Sequence, residues 1–127
     1  GHSCTAQNGV RFCPTTAIAN NVPSFDGVPL DVDVTLPPSG DGPFPTIVML
    51  HGYGGSKASF EATTPDPTTP ATGYHYNNIH FAQQGYAVVT YSARGFGHSC
   101  GKTDPATGGC GRGDGRRHEA RVGDIPG

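Results

Sequence analysis

The 127-residue chain has no tryptophan, a single methionine and only 14% charged residues. None of its apolar runs approaches the ~20 residues of a membrane-spanning helix, so no membrane insertion is expected. Leu, Ile, Val and Phe together number 22 of the 127 residues, short of the ~20% that marks a self-sufficient core. With a formal net charge of −2, the chain lacks the sustained basic surface of a dedicated nucleic-acid binder. Arg112, Arg116, Arg117 and Arg121 cluster near the end, but Asp114, Glu119 and Asp124 are interleaved, as on a solvated mixed face. The small charge also removes self-repulsion as a cause of disorder. In place of apolar residues stand glycine and proline, 32 of 127. A thin core at low charge suits a globular segment that completes its core with further chain. Gly1 opens the sequence without an initiator Met or a visible leader, as after processing or trimming of the gene.

Metal-ligand spacing is also missing. There is no C-x₂-C pair, and His75 and His80, the nearest approach to a ligand pair, have no carboxylates at suitable spacing. Neither metal nor cofactor is expected. The four cysteines read instead as two local disulfides. Asn8-Gly9 is a strong type I′ hairpin signal. Pairing about that turn sets opposite each other residues whose numbers sum to 17, which makes Cys4 and Cys13 a non-hydrogen-bonded pair at the ~4.5 Å Cα separation that a disulfide accepts. Cys100–Cys110 then closes a short loop around Pro105 and Gly108-Gly109. Two such bridges predict an oxidising, extracellular location for a secreted protein.

Along the chain, Val22–Phe25 leads through an Asp26-Gly27 turn into Val28–Leu36, where Leu30, Val32, Val34 and Leu36 alternate with Asp31, Asp33 and Thr35. This is a half-buried antiparallel strand, with the apolar set expected inward and the polar set outward. Pro37–Pro43 ends it. Thr46–Leu50 has no polar break and reads as a strand buried on both faces at the sheet centre. Glu61–Gly73, with three prolines and five threonines, reads as a surface insertion. Tyr74–Gln84 predicts a short helix with Asn77 or Asn78 as N-cap, Ile79 and Ala82 on one face, and Gly85 as its stop. Tyr86–Tyr91 is a second buried strand, and strand–helix–strand makes a βαβ unit. The class is α/β, an antiparallel edge hairpin followed by that unit. Arg116–Arg121 suits one or two helical turns, and no repeat is detectable.

Two glycine loops end the two apolar strands. His51-Gly52-Tyr53-Gly54-Gly55 follows the first, at the C-terminal end of a strand, where open α/β sheets carry their sites. Its bare backbone N–H groups suit an oxyanion hole, with the Tyr53 N–H or phenol O–H as donor. A plain strand-to-helix connection would use the same glycines. Arg94-Gly95-Phe96-Gly97-His98-Ser99 follows the second strand, and there Arg94 suits a guanidinium tying loops together. Gly97-His98-Ser99-Cys100-Gly101 matches G-x-S-x-G, yet Ser99 lies eight residues beyond Tyr91 and no helix pattern follows, so it fails as a nucleophile elbow. Gly101-Lys102-Thr103 lacks the earlier glycine of a phosphate loop, because position 96 is Phe. Gly95-x-Gly97 fails as a dinucleotide fingerprint on the same missing helix. Arg112-Gly113-Asp114 is read as chance.

Taken together, HGYGGSK, a helix ending in FAQQGY, and VVTYSARGFGHS resemble the α/β-hydrolase superfamily, and within it the X-prolyl dipeptidyl-peptidase and cocaine-esterase-like branch. FDGVPLDVDVTLPP resembles the hairpin preceding the HG loop in that branch, and the likeness spans roughly residues 22–121. It implies a serine hydrolase cleaving ester or Xaa-Pro amide bonds of a small-molecule or peptide substrate through an acyl-enzyme. His51, Gly52, Tyr53 and Gly54 would form part of the oxyanion hole, with Tyr53 contributing its hydroxyl. Arg94, Gly95, Gly97 and Ser99 would be a structural loop beside the site. In that family the nucleophile elbow, acid and histidine lie beyond the point corresponding to Gly127. The chain is therefore expected to be the N-terminal half of such a sheet (22–127), preceded by a disulfide-linked hairpin and linker (1–21). It would be inactive alone and would pair with the C-terminal half. The alternative is a small disulfide-stabilised extracellular binding module without catalysis.

Overall fold

The computed structural model describes residues 3–25, 27–69, 73–100, 106 and 110. The Arg112–Asp124 charge cluster, the Arg116–Arg121 segment, Gly101-Lys102-Thr103 and Arg112-Gly113-Asp114 lie outside the described residues, as does Asp26.

The first hairpin follows from its turn. Asn8 and Gly9 both take positive φ, 51° and 74°, the left-handed pair that a type I′ turn demands. This sets β1 (Thr5–Gln7) against β2 (Val10–Cys13) with Thr5 opposite Phe12 and Gln7 opposite Val10. One step further out, Cys4 and Cys13 are bridged at a Cα separation of 4.0 Å. A 3₁₀ turn, Ile18–Asn20, then leads to the short strands β3 (Val22–Pro23) and β4 (Pro29–Leu30). These two pair only with each other, around a turn closed by the Gly27 N–H donating to the Ser24 carbonyl at 2.9 Å.

The expected Val28–Leu36 strand breaks at Asp31. There the Asp31 amide donates to Ser99 Oγ and its carbonyl accepts from Ser92 N–H, so its backbone serves the loop after β7. Beyond the break, β5 (Val32–Leu36) enters the main sheet, whose order is β1-β2-β5-β7-β6 with β6 (Thr46–Leu50) and β7 (Ala87–Tyr91). The edge hairpin of this sheet is therefore β1–β2. A β2–β5 ladder runs across the expected boundary at residue 21. β6 and β7 are parallel neighbours, with Thr46 opposite Ala87 and Leu50 opposite Tyr91, and β5 runs antiparallel to β7.

Helix α1 (Asn78–Gln83) joins β6 to β7. Its N-cap is Asn77, whose side chain accepts from the His80 amide, and Gly85 at φ 99° ends it. Ile79 and Ala82 are buried against Val10 and Val88, with Met49, Ala62 and Phe81 packed around them.

Two expectations are corrected here. Among the described residues Thr46–Leu50 is an edge strand and not the sheet centre; Val48 and Leu50 are 54% and 62% exposed. Only one face of β6 meets the helix layer, through Met49. On β5 the alternation is right and the sides are reversed. Asp31, Asp33 and Thr35 are buried, while Val32, Val34 and Leu36 are half-buried on the opposite face. The reason is chemical: Lys57 and Asn78 lie over β5 on the helix side and bind those polar groups, the Asn78 amide donating to Thr35 Oγ1 at 2.9 Å.

Replacing both Cys4 and Cys13 by Ala should lower stability by about 3 kcal/mol, the chain-entropy value for a loop of this length. Denaturant unfolding of the oxidised protein and the double variant measures it.

Candidate active site

The loop after β6 is built by its glycines. Gly54 sits at φ 81°, and the Gly55 N–H donates to the Gly52 carbonyl at 3.0 Å, closing a tight turn with Tyr53 and Gly54 at its tip. A Cβ on Gly55 would lie 2.8 Å from Ser59 Oγ and 3.1 Å from the Gly52 carbonyl oxygen, so a side chain there would push the Ser59 hydroxyl and the turn aside. Tyr53 projects from the tip at 99% exposure, its ring edge against Phe96 with centroids 5.4 Å apart. The Tyr53 hydroxyl thus stands in solvent at the C-terminal end of a parallel strand.

His51 is not free to act as a base. The Ala93 N–H donates to its Nε2 at 2.8 Å, so the ring proton resides on Nδ1, which donates to the Gly52 carbonyl at 2.7 Å. The imidazole pins the loop after β6 to the loop after β7. Below the turn, Ser56 caps a 3₁₀ turn, Lys57–Phe60, in a reciprocal capping box with Ser59. The Lys57 amide donates to Ser92 Oγ at 3.0 Å, a second tie between the two loops.

The second loop is equally constrained. Gly95 and Gly97 have φ of 87° and 54°, and a Cβ on Gly97 would lie 2.8 Å from Ser92 Oγ. The Gly95 amide donates to the Ser99 carbonyl at 2.7 Å. Ser99 is fully buried; its hydroxyl accepts from the Asp31 amide and donates to the Ser92 carbonyl. Both hydrogen-bonding roles of that hydroxyl are filled, and no substrate can reach it. Arg94 donates to Ser24 Oγ at 3.1 Å and lies over the Phe25 ring, 5.2 Å from its centroid. Cys100 is bridged to Cys110, which anchors the far side of this loop.

Beneath both loops lies a charge cluster. Lys57 Nζ donates to Asp31 Oδ1 at 2.8 Å, to Asp33 Oδ1 at 2.7 Å and to the Thr15 carbonyl at 3.3 Å. Burial works against the Lys57 charge, but the hydrogen bonds to Asp31 and Asp33 and their negative charges outweigh it and raise its pKa above the usual lysine value. Glu61, expected to begin a surface insertion, turns inward and accepts from Thr90 Oγ1 at 2.8 Å. Burial raises its pKa to about 8; a hydrogen bond to Asp33 adds to the rise, while Thr90 and Lys57 oppose it. Burial and the neighbouring Asp33 carboxylate thus both favour the neutral acid form of Glu61. The (i, i+4) spacing of Lys57 and Glu61 was the available sequence signal for this cluster.

The arrangement brings together the two glycine loops, with His51, Gly52, Tyr53 and Gly54 in one and Arg94, Gly95, Gly97 and Ser99 in the other. It sets a solvent-facing hydrogen-bond donor, Tyr53, on a closed backbone turn. A family model for X-Pro dipeptidyl-peptidase (S15 family) matches residues 26–120, about three quarters of the chain. No curated protein and no solved structure matches it.

Two outcomes follow from the cluster. Lys57→Met leaves Asp31 and Asp33 buried without their counter-charge and should reduce stability by about 3 kcal/mol, read from the urea midpoint. The Glu61 carboxyl has a folded pKa of about 8 against an ordinary 4.5, so the folded state binds the extra proton between those values. Its contribution is full below pH 4.5 and is lost as pH rises to about 8. The urea midpoint of Glu61→Gln, subtracted from that of the parent at each pH, should track this loss and level off above it. A difference independent of pH would show that Glu61 is ionised throughout.

Proposed function

This chain belongs to the X-Pro dipeptidyl-peptidase (S15) family, and we propose that it is the oxyanion-hole half of a secreted serine hydrolase. Its substrates would be esters or Xaa-Pro amides, cleaved through an acyl-enzyme. The observation that carries the reading is Tyr53, an exposed donor on a turn locked at the end of a parallel strand. In this role Tyr53 O–H, or the loop N–H, donates to the oxygen that becomes negative in the tetrahedral intermediate. Because the turn is tied through His51 and Lys57, the donor is in place before charge develops, which is where such stabilisation gains its strength.

The same reading accounts for the sheet. Among the described residues β6 has β7 on one side only, and its outer face carries Val48 and Leu50 largely exposed. Val32, Val34 and Leu36 of β5 share that face with Val89 and Tyr91 of β7 by register. Parallel strands are ordinarily covered on both faces. A further strand on the free edge of β6 would end beside Tyr53 and deliver a nucleophile there, with helices of the same later segment covering the apolar face. Ser99 has no part in the chemistry; it bonds the second loop to β5. The two disulfides support an extracellular setting.

The test is covalent labelling and turnover. The 127-residue chain should neither react with a fluorophosphonate nor hydrolyse p-nitrophenyl esters or Xaa-Pro anilides. A product of the same gene extended through the next strand–G-x-S-x-G segment and the later triad members should do both. In that longer product, Tyr53→Phe should lower kcat by about 10²-fold with little change in KM, the usual effect of removing one oxyanion donor. Activity of the short chain that is lost in Ser99→Ala would overturn the proposal.

A further inference from the structure

On the far side of α1 from the sheet interior, His75 and His80 meet. Their Nδ1 atoms are 3.2 Å apart, with ring centroids separated by 4.6 Å and planes at 75°. Both rings are placed by the backbone around the helix N-cap. The His80 amide donates to Asn77 Oδ1 at 2.9 Å, and Asn77 Nδ2 donates back to the Tyr74 carbonyl at 3.0 Å. Tyr74 itself sits at φ 60°, a left-handed conformation that a bulky residue rarely adopts, and this turns His75 toward the helix. The pair lines a recess of about 180 Å³ together with Pro65, Pro67 and Gln83.

We propose that His75 and His80 form a site for a borderline divalent transition metal, with Zn²⁺ or Cu²⁺ as the fitting ions. Two nitrogens each about 2.0–2.1 Å from a tetrahedral ion stand roughly 3.3 Å apart, so the observed separation is already the bite of a metal chelate. Imidazole nitrogen favours these ions over Mg²⁺ and Ca²⁺, which seek oxygen. Among the described residues no third His, Cys, Asp or Glu joins the pair. The ion would therefore keep water at its remaining positions. In the metal-free protein the two Nδ1 atoms share one N–H···N hydrogen bond; on binding, the donor ring shifts that proton to its own Nε2 and both neutral imidazoles ligate through Nδ1, with no net proton release. The ion would tie the turn before α1 to the helix. This site is independent of the hydrolase reading.

Titration of Zn²⁺ into the 127-residue chain, with a chromophoric chelator as competitor, should give one equivalent bound with micromolar Kd. A Zn²⁺ concentration a hundredfold above that Kd should raise Tm by several degrees. His75→Asn and His80→Gln should each weaken binding at least tenfold while far-UV circular dichroism is unchanged. His98→Gln, at a distant loop, should leave binding intact, and Mg²⁺ should not compete. Binding no tighter than millimolar, or micromolar binding that persists in the His75→Asn/His80→Gln double variant, overturns the proposal.

Discussion

One ammonium group sets the layout of this molecule. Lys57 Nζ, anchored on Asp31 and Asp33, lies between the loop that follows β6 and the strand β5 on the other side of β7. An ion pair taken out of water gains little by itself, since desolvation offsets most of the Coulombic attraction. Its effect is on arrangement. Once two carboxylates of β5 must face Lys57, β5 cannot rotate without stranding charge, and its valines are committed to the opposite side. The raised pKa of Glu61 follows the same logic, because burial and the Asp33 carboxylate both disfavour a further negative charge there.

That constraint explains where sequence patterns succeed and fail. Local rules acted on neighbours a few residues apart and located the Asn8-Gly9 turn, the Cys4–Cys13 pair, the Gly85 stop and, to within one residue, the helix cap at Asn77 or Asn78. Each depends on backbone geometry that residue type dictates directly. Period-two alternation in Val28–Leu36 was equally legible, but alternation does not say which face is inside. Hydropathy assigned the valines inward, whereas a lysine more than twenty residues away decided the matter. Likewise the unbroken apolar run of Thr46–Leu50 recorded that both faces are made for burial, and could not record that β6 would have one neighbouring strand among the described residues. For the candidate site, the glycine loops and Tyr53 were visible as residue types. The locking contacts of His51, Ser92 and Ser99 were not, since each joins loops that only the fold brings together.

The two glycine loops are better regarded as one body. His51 reaches from the first to the Ala93 amide of the second, Lys57 N–H reaches to Ser92 Oγ, and the Tyr53 and His51 rings both pack edge-on against Phe96. Ser99 and Arg94 extend the body to the β3–β5 region through Asp31 and Ser24. A loop rich in glycine is entropically expensive to order, and here the ordering is supplied by side chains whose polar atoms are already satisfied within the pair. Such a turn holds its backbone N–H donors in place without help from a ligand. Preorganisation of that kind is what the proposed oxyanion hole requires.

The polar and apolar faces of the sheet then acquire complementary meanings. The face under α1 is small and partly ionic, closed by Lys57, Asn78 and Glu61 over Thr35, Asp33 and Thr90. It specifies register more than it contributes hydrophobic free energy. The other face carries the larger aliphatic set of β5, β6 and β7, yet Val48 and Leu50 lie mostly in water. A sheet whose specific, polar side is finished and whose apolar side is open has its driving force for further assembly where the parallel edge and Tyr53 also lie. In the proposed hydrolase, burying that face and completing the oxyanion site are one event, so the segment that brings the nucleophile also supplies the missing core.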